Sequence, residues 1–590
     1  MTADLIVRVA RIENFDPVPG PATDTVVAVR GGRILAVGGG DLLHRWTGPA
    51  TAVLEFPGAT LTPGLTDPHA HPVWGAIEAG TGLDLDGLTT LGDVCARIAE
   101  HLAARSTGCT PGRTPARPPA ETPANTPANT PANTPANTPA NTPAGTTGQG
   151  IEPWVTGFNL DINVFDAEPT GEPFEQHLPG VPVSLMTRDA HSLVISPAAV
   201  TRVGLTGTET FDDASRIATG PDGRPTGFVV ELQAMDLVLA HYPEVPLAEA
   251  AGHVADRLRR FAATGLTGLH ALDFTAPSEE VYRRIEADGD LPLRVRCSPL
   301  VPADSTREVW EAVAAQQQLA GRRWHVAGAK FMLDGTADNG SAWFEHPDLH
   351  GQNRHPLWRN VDGYREAVRF FTERDIPTAT HAIGDQAVRT ALEVIEETGH
   401  ARSAPHRIEH IESIPDDLLP RFAALGVVAG LQPAHATRLT SADQSDNWSV
   451  RIGPERVAHG WRTRDLLDHG AVVALGSDWP IGVADPRTAL ADAQLRRPVE
   501  RSDAAPVQPG QRITAREAYA GMTRAPAVAA GAAGRLGRIA PGHLADLTVF
   551  ARNPLDLTPG EQAANPVLAT VVDGTPLLHA PRPAAQERTP

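Results

Sequence analysis

The sequence predicts an α/β protein in which a parallel barrel occupies the middle of the chain and a small β domain is built from both ends. Between residues 61 and 530, short apolar runs alternate with helical segments rich in alanine, leucine, arginine and glutamate. Residues 1–60 and 531–590 instead contain strand-like runs joined by tight turns. The alternation predicts a parallel sheet, and the number of repeats favours a barrel over an open sheet.

The terminal β domain is predicted from hairpin signals at both ends of the chain. Residues 25–30 and 33–38 are apolar runs joined by two glycines, which suit turn positions that need positive φ. Residues 545–550 and 568–572 are also strand-like, and the second run precedes an Asp-Gly pair. We therefore expect one β domain made from both segments.

The barrel is predicted from repeated strand and helix signals. The expected strands include 181–186, 266–272, 376–380 and 471–476, and the expected helices include 250–264 and 362–374. The segment at about 105–150 breaks this rhythm with tandem Thr-Pro-Ala-Asn repeats. Closely spaced prolines prevent helix formation and remove sheet donors, so we expect a disordered surface insertion without catalytic residues.

Composition limits the class of function. The chain has 590 residues, enough for at least two domains, and a formal charge of -20, which opposes binding to nucleic acid or anionic membranes. Its three cysteines show no metal-finger or disulfide spacing, and no segment resembles a signal peptide or a membrane span. We expect a cytoplasmic protein.

Lys330 is the only lysine in the chain, although the sequence contains 50 lysine and arginine residues together. It lies in the run 326–335, VAGAKFMLDG, which is typical of a buried parallel strand. A buried lysine can lose its proton and react as an amine, whereas arginine stays charged. Lys330 is therefore either a leftover lysine or a residue retained for amine chemistry.

Metal-ligating side chains follow several of the expected strands. His69 and His71 form a His-x-His pair, and on an extended chain both side chains can reach one ion. His381 and Asp478 each follow an apolar run, and His410 stands at the expected end of another strand, after His406 and Arg407. Each of these residues alone is compatible with ordinary packing. Together they predict a metal site at the end of the barrel where strands terminate.

The motifs that carry these residues resemble the amidohydrolase superfamily, in particular its YtcJ-like branch, which includes N-substituted formamide deformylase. The resemblance covers nearly the whole chain except the repeat insertion. It rests on LTPGLTDPHAHP (61–72), RDAHSLVIS (188–196), AKFMLDG (329–335), THAIGD (380–385), HRIEHIE (406–412) and LGSDWPI (475–481).

This resemblance implies a distorted (β/α)8 barrel with a β-sandwich formed from both chain ends, and a homodimer. It also implies a divalent metal centre, with zinc expected and one or two ions left open. The implied ligands are His69, His71, Lys330, His381, His410 and Asp478. In relatives with two metals, the equivalent lysine is carboxylated and bridges them, so Lys330 is expected to be a carbamate.

The implied reaction is hydrolysis of a non-peptide carbon–nitrogen bond in a small amide, with an N-substituted formamide as one candidate. A metal lowers the pKa of bound water from about 15.7 to about 7, and the resulting hydroxide attacks the carbonyl carbon. Asp478 is the expected general base. Two alternatives remain: a cyclic amidine deaminase on the same barrel, and a degenerate barrel with a regulatory or binding role.

Four further residues are candidates for substrate binding. His191 lies in Asp-Ala-His, which resembles a family Asp-Gly-His motif, and is expected to contact the substrate or its oxyanion. Gln432 and His435 follow an apolar run and would add polar contacts. Trp74, just beyond the His-x-His pair, would supply an apolar wall. Ordinary packing is the alternative for each.

Overall fold

A computed structural model describes residues 2–16, 25–106, 154–211 and 213–579. The predicted repeat insertion at about 105–150 lies outside the described residues from position 107 onward. The strands are β1 Leu5–Ile12, β2 Val26–Arg30, β3 Arg33–Gly38, β4 Ala52–Pro63, β5 Leu65–Ala70, β6 Leu83–Asp84, β7 Val155–Leu160, β8 Val183–Thr187, β9 Ser192–Ile195, β10 Arg216–Thr219, β11 Pro225–Val230, β12 Leu266–Phe274, β13 Arg294–Val301, β14 Trp324–Val326, β15 Ala329–Met332, β16 Thr378–Ala382, β17 Arg407–His410, β18 Val428–Leu431, β19 Val472–Leu475, β20 Leu547–Phe550, β21 Val567–Val572 and β22 Thr575–Leu578.

The α-helices are mostly short and lie between these strands. They are α1 Asp41–Trp46, α2 Pro72–Thr81, α3 Leu91–Ser106, α4 Glu172–His177, α5 Pro197–Val203, α6 Leu232–Leu239, α7 Leu247–Ala263, α8 Ser278–Asp288, α9 Arg307–Ala315, α10 Val361–Glu373, α11 Asp385–Thr398, α12 Leu419–Leu425, α13 Asn447–Ile452, α14 Pro454–Val457, α15 Thr463–Asp468, α16 Pro486–Leu495, α17 Ala515–Gly521, α18 Arg524–Ala529 and α19 Pro559–Ala564. Within the described residues, no helix combines the length and the apolar character needed to span a lipid bilayer.

Both ends of the chain contribute to one seven-stranded sheet, in the order β22-β21-β20-β4-β1-β2-β3. The predicted hairpin is confirmed: β2 and β3 pair antiparallel, and Gly31 and Gly32 between them have φ values of 54° and 72°. Strand β4 pairs with β20, which joins the N-terminal and C-terminal segments. Buried Leu61 and Leu547 lie at this junction. The sheet thus links segments almost 500 positions apart in sequence.

The predicted parallel barrel is confirmed. Eight strands pair in parallel in the order β19-β18-β17-β16-β15-β13-β12-β5, and β14 pairs with β13 beside them. A parallel bridge between Ala70 and Trp479 brings the two ends of this path together. The predicted helices 250–264 and 362–374 correspond to α7 and α10. The predicted run 326–335 is divided into two strands, because Gly328 between them has a φ of 127°.

One predicted barrel strand was wrong. The run 181–186 belongs to a separate six-stranded sheet, in the order β10-β11-β9-β8-β7-β6, which has its own apolar core. This sheet lies in the chain between barrel strands β5 and β12. The prediction failed because a buried strand of any sheet shows the same apolar run. The extra sheet supplies His191, from the turn between β8 and β9, to the barrel mouth.

The junction between the two chain ends yields a stability prediction. Leu547 is completely buried in β20, so Leu547→Ala should lower the free energy of unfolding by about 2–5 kcal/mol, because it leaves a cavity in the sheet core. Leu578 in edge strand β22 is 62% exposed, and Leu578→Ala should stay within about 0.5 kcal/mol of the wild type. Chemical denaturation of both variants measures the difference; equal losses would contradict the junction.

Candidate metal centre

The barrel brings the six predicted ligand residues to the end where its strands terminate. His69 lies in β5, Lys330 in β15, His381 in β16 and His410 in β17, while Asp478 follows β19. Because the carboxyl ends of parallel strands meet at one face of a barrel, residues far apart in sequence converge there. All six, including His71 directly after β5, line a single cavity. Their role as metal ligands stays a prediction.

Asp478 is the centre of the cluster. Ligand atoms of His69, His410 and Asp478 all lie within 4.8 Å of one another. Asp478 Oδ1 is 2.9 Å from His71 Nε2 and 3.3 Å from His69 Nε2. Burial alone would raise the pKa of Asp478, but the neighbouring histidines, with the hydrogen bond from His71, hold it well below its usual range. Asp478 is therefore a carboxylate at neutral pH.

The backbone holds two of these residues in an uncommon conformation. His410 has a φ of 72° and Asp478 a φ of 55°, in the left-handed region that non-glycine residues seldom adopt. The backbone N–H of Asp478 donates to the carbonyl of His69 at 2.7 Å. Such conformations persist when the surrounding structure enforces them, and they cluster at functional sites. This backbone geometry turns both side chains toward the cavity.

Buried imidazole nitrogens in the cluster are suited to bind a cation. Among the described residues, His69 Nε2 and His410 Nδ1 have no hydrogen-bond partner. Burial lowers the pKa of His69 to about 4 and that of His410 well below its usual value, so both rings are neutral with a free lone pair. Buried polar atoms normally have a partner, and neutral imidazole is a common metal ligand. The residues present thus fit a divalent metal.

His381 and Lys330 complete the cluster from the neighbouring strands. The His381 ring centroid lies 4.3 Å from that of His410, and His381 Nε2 is 3.2 Å from the carbonyl oxygen of Gly335. Donation to this carbonyl fixes the proton on Nε2 and leaves Nδ1 with a lone pair. Lys330 is 2% exposed, and burial lowers its pKa to about 8. A neutral amine, which a carbamate requires, is therefore accessible near neutral pH.

Glu409 and Arg407, for which the sequence predicts no role, fix the orientation of His69 from the side opposite the cavity. Glu409 Oε2 is 2.7 Å from His69 Nδ1, and the Arg407 guanidinium donates to the other oxygen of Glu409 and, at 2.9 Å, to the carbonyl of Pro68. Although burial opposes it, the charges of Arg407 and His69 hold the pKa of Glu409 well below its usual range. The carboxylate therefore accepts a hydrogen bond from His69 Nδ1–H, and the unprotonated Nε2 faces the cavity.

His191 is held by another residue that the sequence analysis missed. Its Nδ1 lies 3.0 Å from Glu231 Oε2, and its ring lies 5.4 Å from that of His381. Glu231, which has a φ of 68°, is completely buried. Burial disfavours a charged His191, but Glu231, followed by Asp189 and Asp478, raises its pKa to about 9. His191 is therefore a charged hydrogen-bond donor at the cavity wall.

The cavity has a volume of about 330 Å³. Trp74, His191 and His435, the residues expected to contact the substrate, line it, and their role in substrate binding stays a prediction. Its apolar wall is formed by Trp74, Met186, Leu232, Met235, Leu239, Leu272, Leu300, Met332, Ile383, Leu439 and Ile481. Gln432 was expected to add a substrate contact, but the structure places it behind His69, with its Nε2 3.2 Å from His69 Nδ1. Gln432 is thus a packing neighbour of a predicted ligand.

The sequence predicts the positions of Glu409 and Arg407 better than that of Glu231. Glu409 and Arg407 belong to the HRIEHIE segment, in which alternate positions of a strand face the same way. Alternation places both on one face of β17, so their shared orientation was accessible. Glu231 follows a strand of the six-stranded sheet, and its contact with His191 spans 40 residues. No local pattern predicts that contact.

Residues 56–578 match the sequence model of the amidohydrolase family. The chain belongs to the amidohydrolase family. This match spans most of the sequence and includes every candidate ligand. The resemblance inferred from the motifs is thereby confirmed, and it extends to the YtcJ-like branch because relatives of that branch match along most of their length.

Three curated relatives match most of the chain. The chain is 25% identical over 596 residues to the protein LONG AFTER FAR-RED 3 of Arabidopsis thaliana, covering 98% of this chain and 92% of that protein. It is 25% identical to the N-substituted formamide deformylase of Arthrobacter pascens, covering 93% and 94% of the two chains. It is 24% identical to the putative amidohydrolase YtcJ of Bacillus subtilis (strain 168), covering 71% and 79%.

A solved structure supports the fold. A metal-dependent hydrolase from Pyrococcus horikoshii OT3 superimposes with a TM-score of 0.66, at 19% identity, covering 94% of this chain and 99% of that one. Similarity at this level of identity shows that the two chains share a fold.

The contact behind His69 yields a prediction about metal affinity. Glu409→Gln should weaken divalent metal binding by about 10–100-fold, because it removes the charged acceptor that orients His69 Nδ1–H. Competition with a chromogenic chelator measures the affinity. Glu311→Gln is a matched control on an exposed helix surface, where the side chain is 59% exposed. Wild-type affinity in Glu409→Gln would show that His69 needs no such support.

Proposed function

We propose that this protein is a metal-dependent hydrolase that cleaves a non-peptide carbon–nitrogen bond in a small amide, with an N-substituted formamide as the leading substrate class. The observation that carries the proposal is the convergence of neutral histidines, one carboxylate and a buried lysine at the end of an apolar cavity. Similarity along nearly the full length of a formamide deformylase supports the choice of bond.

The metal would be held by the histidines and carboxylate at the barrel mouth. The proposed ligands are His69, His71, Lys330, His381, His410 and Asp478. We propose zinc or a similar divalent ion, one or two per chain, with Lys330 carboxylated where two are bound. When bound, the metal supplies a Lewis acid and lowers the pKa of coordinated water. The low pKa of Asp478 and the neutral imidazoles favour cation binding near neutral pH.

Asp478 and His191 have complementary roles in this proposal. Asp478, a carboxylate in contact with two histidines, accepts a proton from the attacking water and delivers it to the leaving nitrogen. His191, kept charged by Glu231, donates a hydrogen bond to the carbonyl oxygen as negative charge develops there. Water and amide are consumed, and a carboxylic acid, formate for a formamide, and an amine are released.

The cavity wall favours an apolar group on the substrate nitrogen. Trp74 and Met186, with the leucines of α6, surround the space beside the polar cluster. Burying an apolar substituent there contributes about 25 cal/mol per Å² of surface removed from water. A formamide with an aromatic or branched substituent would therefore bind more tightly than formamide itself.

A substrate screen tests the proposed function. The metal-loaded protein is incubated with N-substituted formamides, hydantoins and aminopyrimidines, and formate, carboxylate and ammonia are assayed. We expect formate release from the N-substituted formamides, with kcat/KM rising with the size of the apolar substituent. Ammonia release from aminopyrimidines would instead identify a cyclic amidine deaminase. No turnover by a fully metal-loaded protein would contradict hydrolysis and favour a binding role.

Lys330 provides a direct test of the carbamate. Lys330→Arg should abolish metal retention and turnover, because a guanidinium stays charged and forms no carbamate with carbon dioxide. Elemental analysis of the purified variant and a formate assay measure the two losses. Arg224→Lys, the reverse exchange at a side chain that is 86% exposed, should change neither. Wild-type metal content and turnover in Lys330→Arg would rule out the carbamate.

A further inference from the structure

A second cavity, here called the basal cavity, lies at the opposite end of the barrel from the candidate metal centre. Its volume is about 420 Å³. It is lined by residues near the starts of β5, β12 and β13, by His325 of β14 and by the segment that leads into β20. The polar lining consists of Thr66, His270, Arg294, Arg296, His325, Arg535 and Asp546. None of these residues belongs to the proposed hydrolytic site.

Three of the basic residues form a row across neighbouring strands. In the parallel register, His270 of β12 is paired with Arg296 of β13, and Arg296 is paired with His325 of β14. Paired residues on adjacent strands place their side chains on the same face of the sheet. All three accordingly reach the basal cavity. The fold concentrates positive charge and N–H donors there.

Arg296 is a largely buried cation with no partner among the described residues, and its guanidinium is reached through the basal cavity. The residue is only 8% exposed, and its guanidinium forms no hydrogen bond or ion pair with any described residue. Burial, followed by the charge of Arg407, lowers the pKa of Arg296 to about 10. An unpaired charge in a protein interior is strongly unfavourable, and buried charges are normally paired. The guanidinium therefore faces a cavity whose natural occupant would be an anion.

The protein itself does not neutralise this charge. Three arginines line the basal cavity against a single carboxylate, Asp546. Asp546 is already engaged by Arg294, at 2.8 and 3.3 Å, and by the backbone N–H of Asp573 at 2.8 Å. Arg294 also donates to the Asp573 carboxylate, outside the cavity lining, at 3.4 Å, so its charge is fully paired. The two arginines that remain, Arg296 and Arg535, leave the cavity with an excess of positive charge.

His270 adds an oriented donor. Its Nδ1 lies 3.1 Å from Arg407 Nη1, and a guanidinium can only donate, so Nδ1 accepts and the ring proton lies on Nε2. Burial, with the charges of Arg296 and Arg407, holds the pKa of His270 well below its usual value, so the ring keeps this neutral tautomer. An Nε2–H donor beside a guanidinium is a suitable arrangement for an oxyanion.

We propose that the basal cavity binds a small phosphate-bearing anion. A doubly charged phosphate matches the excess of two arginines, and its several oxygens can accept from the Arg296 fork and from His270 together. The cavity is larger than inorganic phosphate, and its apolar lining, which includes Leu269, Leu536 and Leu544, leaves room for a small organic group. This site does not depend on the hydrolytic function proposed above.

Binding of inorganic phosphate to the metal-loaded protein tests this proposal. Isothermal titration calorimetry and thermal unfolding are carried out in a phosphate-free buffer at constant ionic strength, with acetate as the comparison anion. We expect phosphate to raise Tm and to bind at a site that Arg296→Met weakens by at least about tenfold, because the charged fork is lost. Phosphate bound at the metal centre would be unaffected by this substitution.

The variants also separate binding from misfolding. Without phosphate, Arg296→Met should unfold at the wild-type Tm or above it, because it replaces an unpaired buried charge by an apolar chain of similar length. Arg535→Ala, at an exposed position on the cavity mouth, should weaken phosphate binding without a change in Tm. Arg224→Ala, at an exposed position in the turn between β10 and β11, should change neither phosphate binding nor Tm. No phosphate binding by the wild type, equal binding by Arg296→Met, or equal stabilisation by acetate would overturn the proposal.

Discussion

The polar interior of the barrel depends on one buried carboxylate, Glu409. It lies between His69, which faces the candidate metal centre, and Arg407, which lies deeper in the barrel. A carboxylate, an imidazole and a guanidinium can be buried together only because each satisfies the others, and removal of one leaves an uncompensated charge. The orientation of His69 is therefore fixed from inside the barrel.

Arg407 connects the two ends of this interior. It donates to Glu409 on the side of the metal centre and to His270 on the side of the basal cavity. The chain of contacts from His270 through Arg407 and Glu409 to His69 is continuous. Most barrels fill this space with branched apolar side chains in layers. Here a polar column replaces part of that packing and links two cavities through hydrogen bonds.

The sequence carries strong signals for features that arise from local pattern. The hairpin glycines, helices α7 and α10, and the strand-end positions of His69, His381 and His410 all follow from periodicity or turn chemistry. Lys330 was identifiable because it is the chain's single lysine. These features predict the barrel. They also predict the candidate ligand set, because parallel strands bring their carboxyl ends together regardless of loop conformation.

Features set by tertiary contacts were not accessible in the same way. The run 181–186 has the composition of a barrel strand but pairs in a different sheet, since neighbouring strands decide where an apolar run is buried. Glu231 reaches His191 only after that sheet has formed. Gln432 follows the expected strand, β18, but its side chain contacts His69 instead of lining the cavity. Side-chain direction at a strand end depends on backbone details that periodicity does not contain.

The pairing of β4 with β20 also constrains the order of events during synthesis. Leu61 pairs with Val549, so nearly five hundred residues must leave the ribosome before the terminal sheet can close. Until then, the edge of β4 that later pairs with β20 has no partner, and an unpaired apolar strand edge can associate with other chains. Contacts between such distant segments also form slowly. The nascent chain therefore carries an unpaired strand edge through almost the whole of translation.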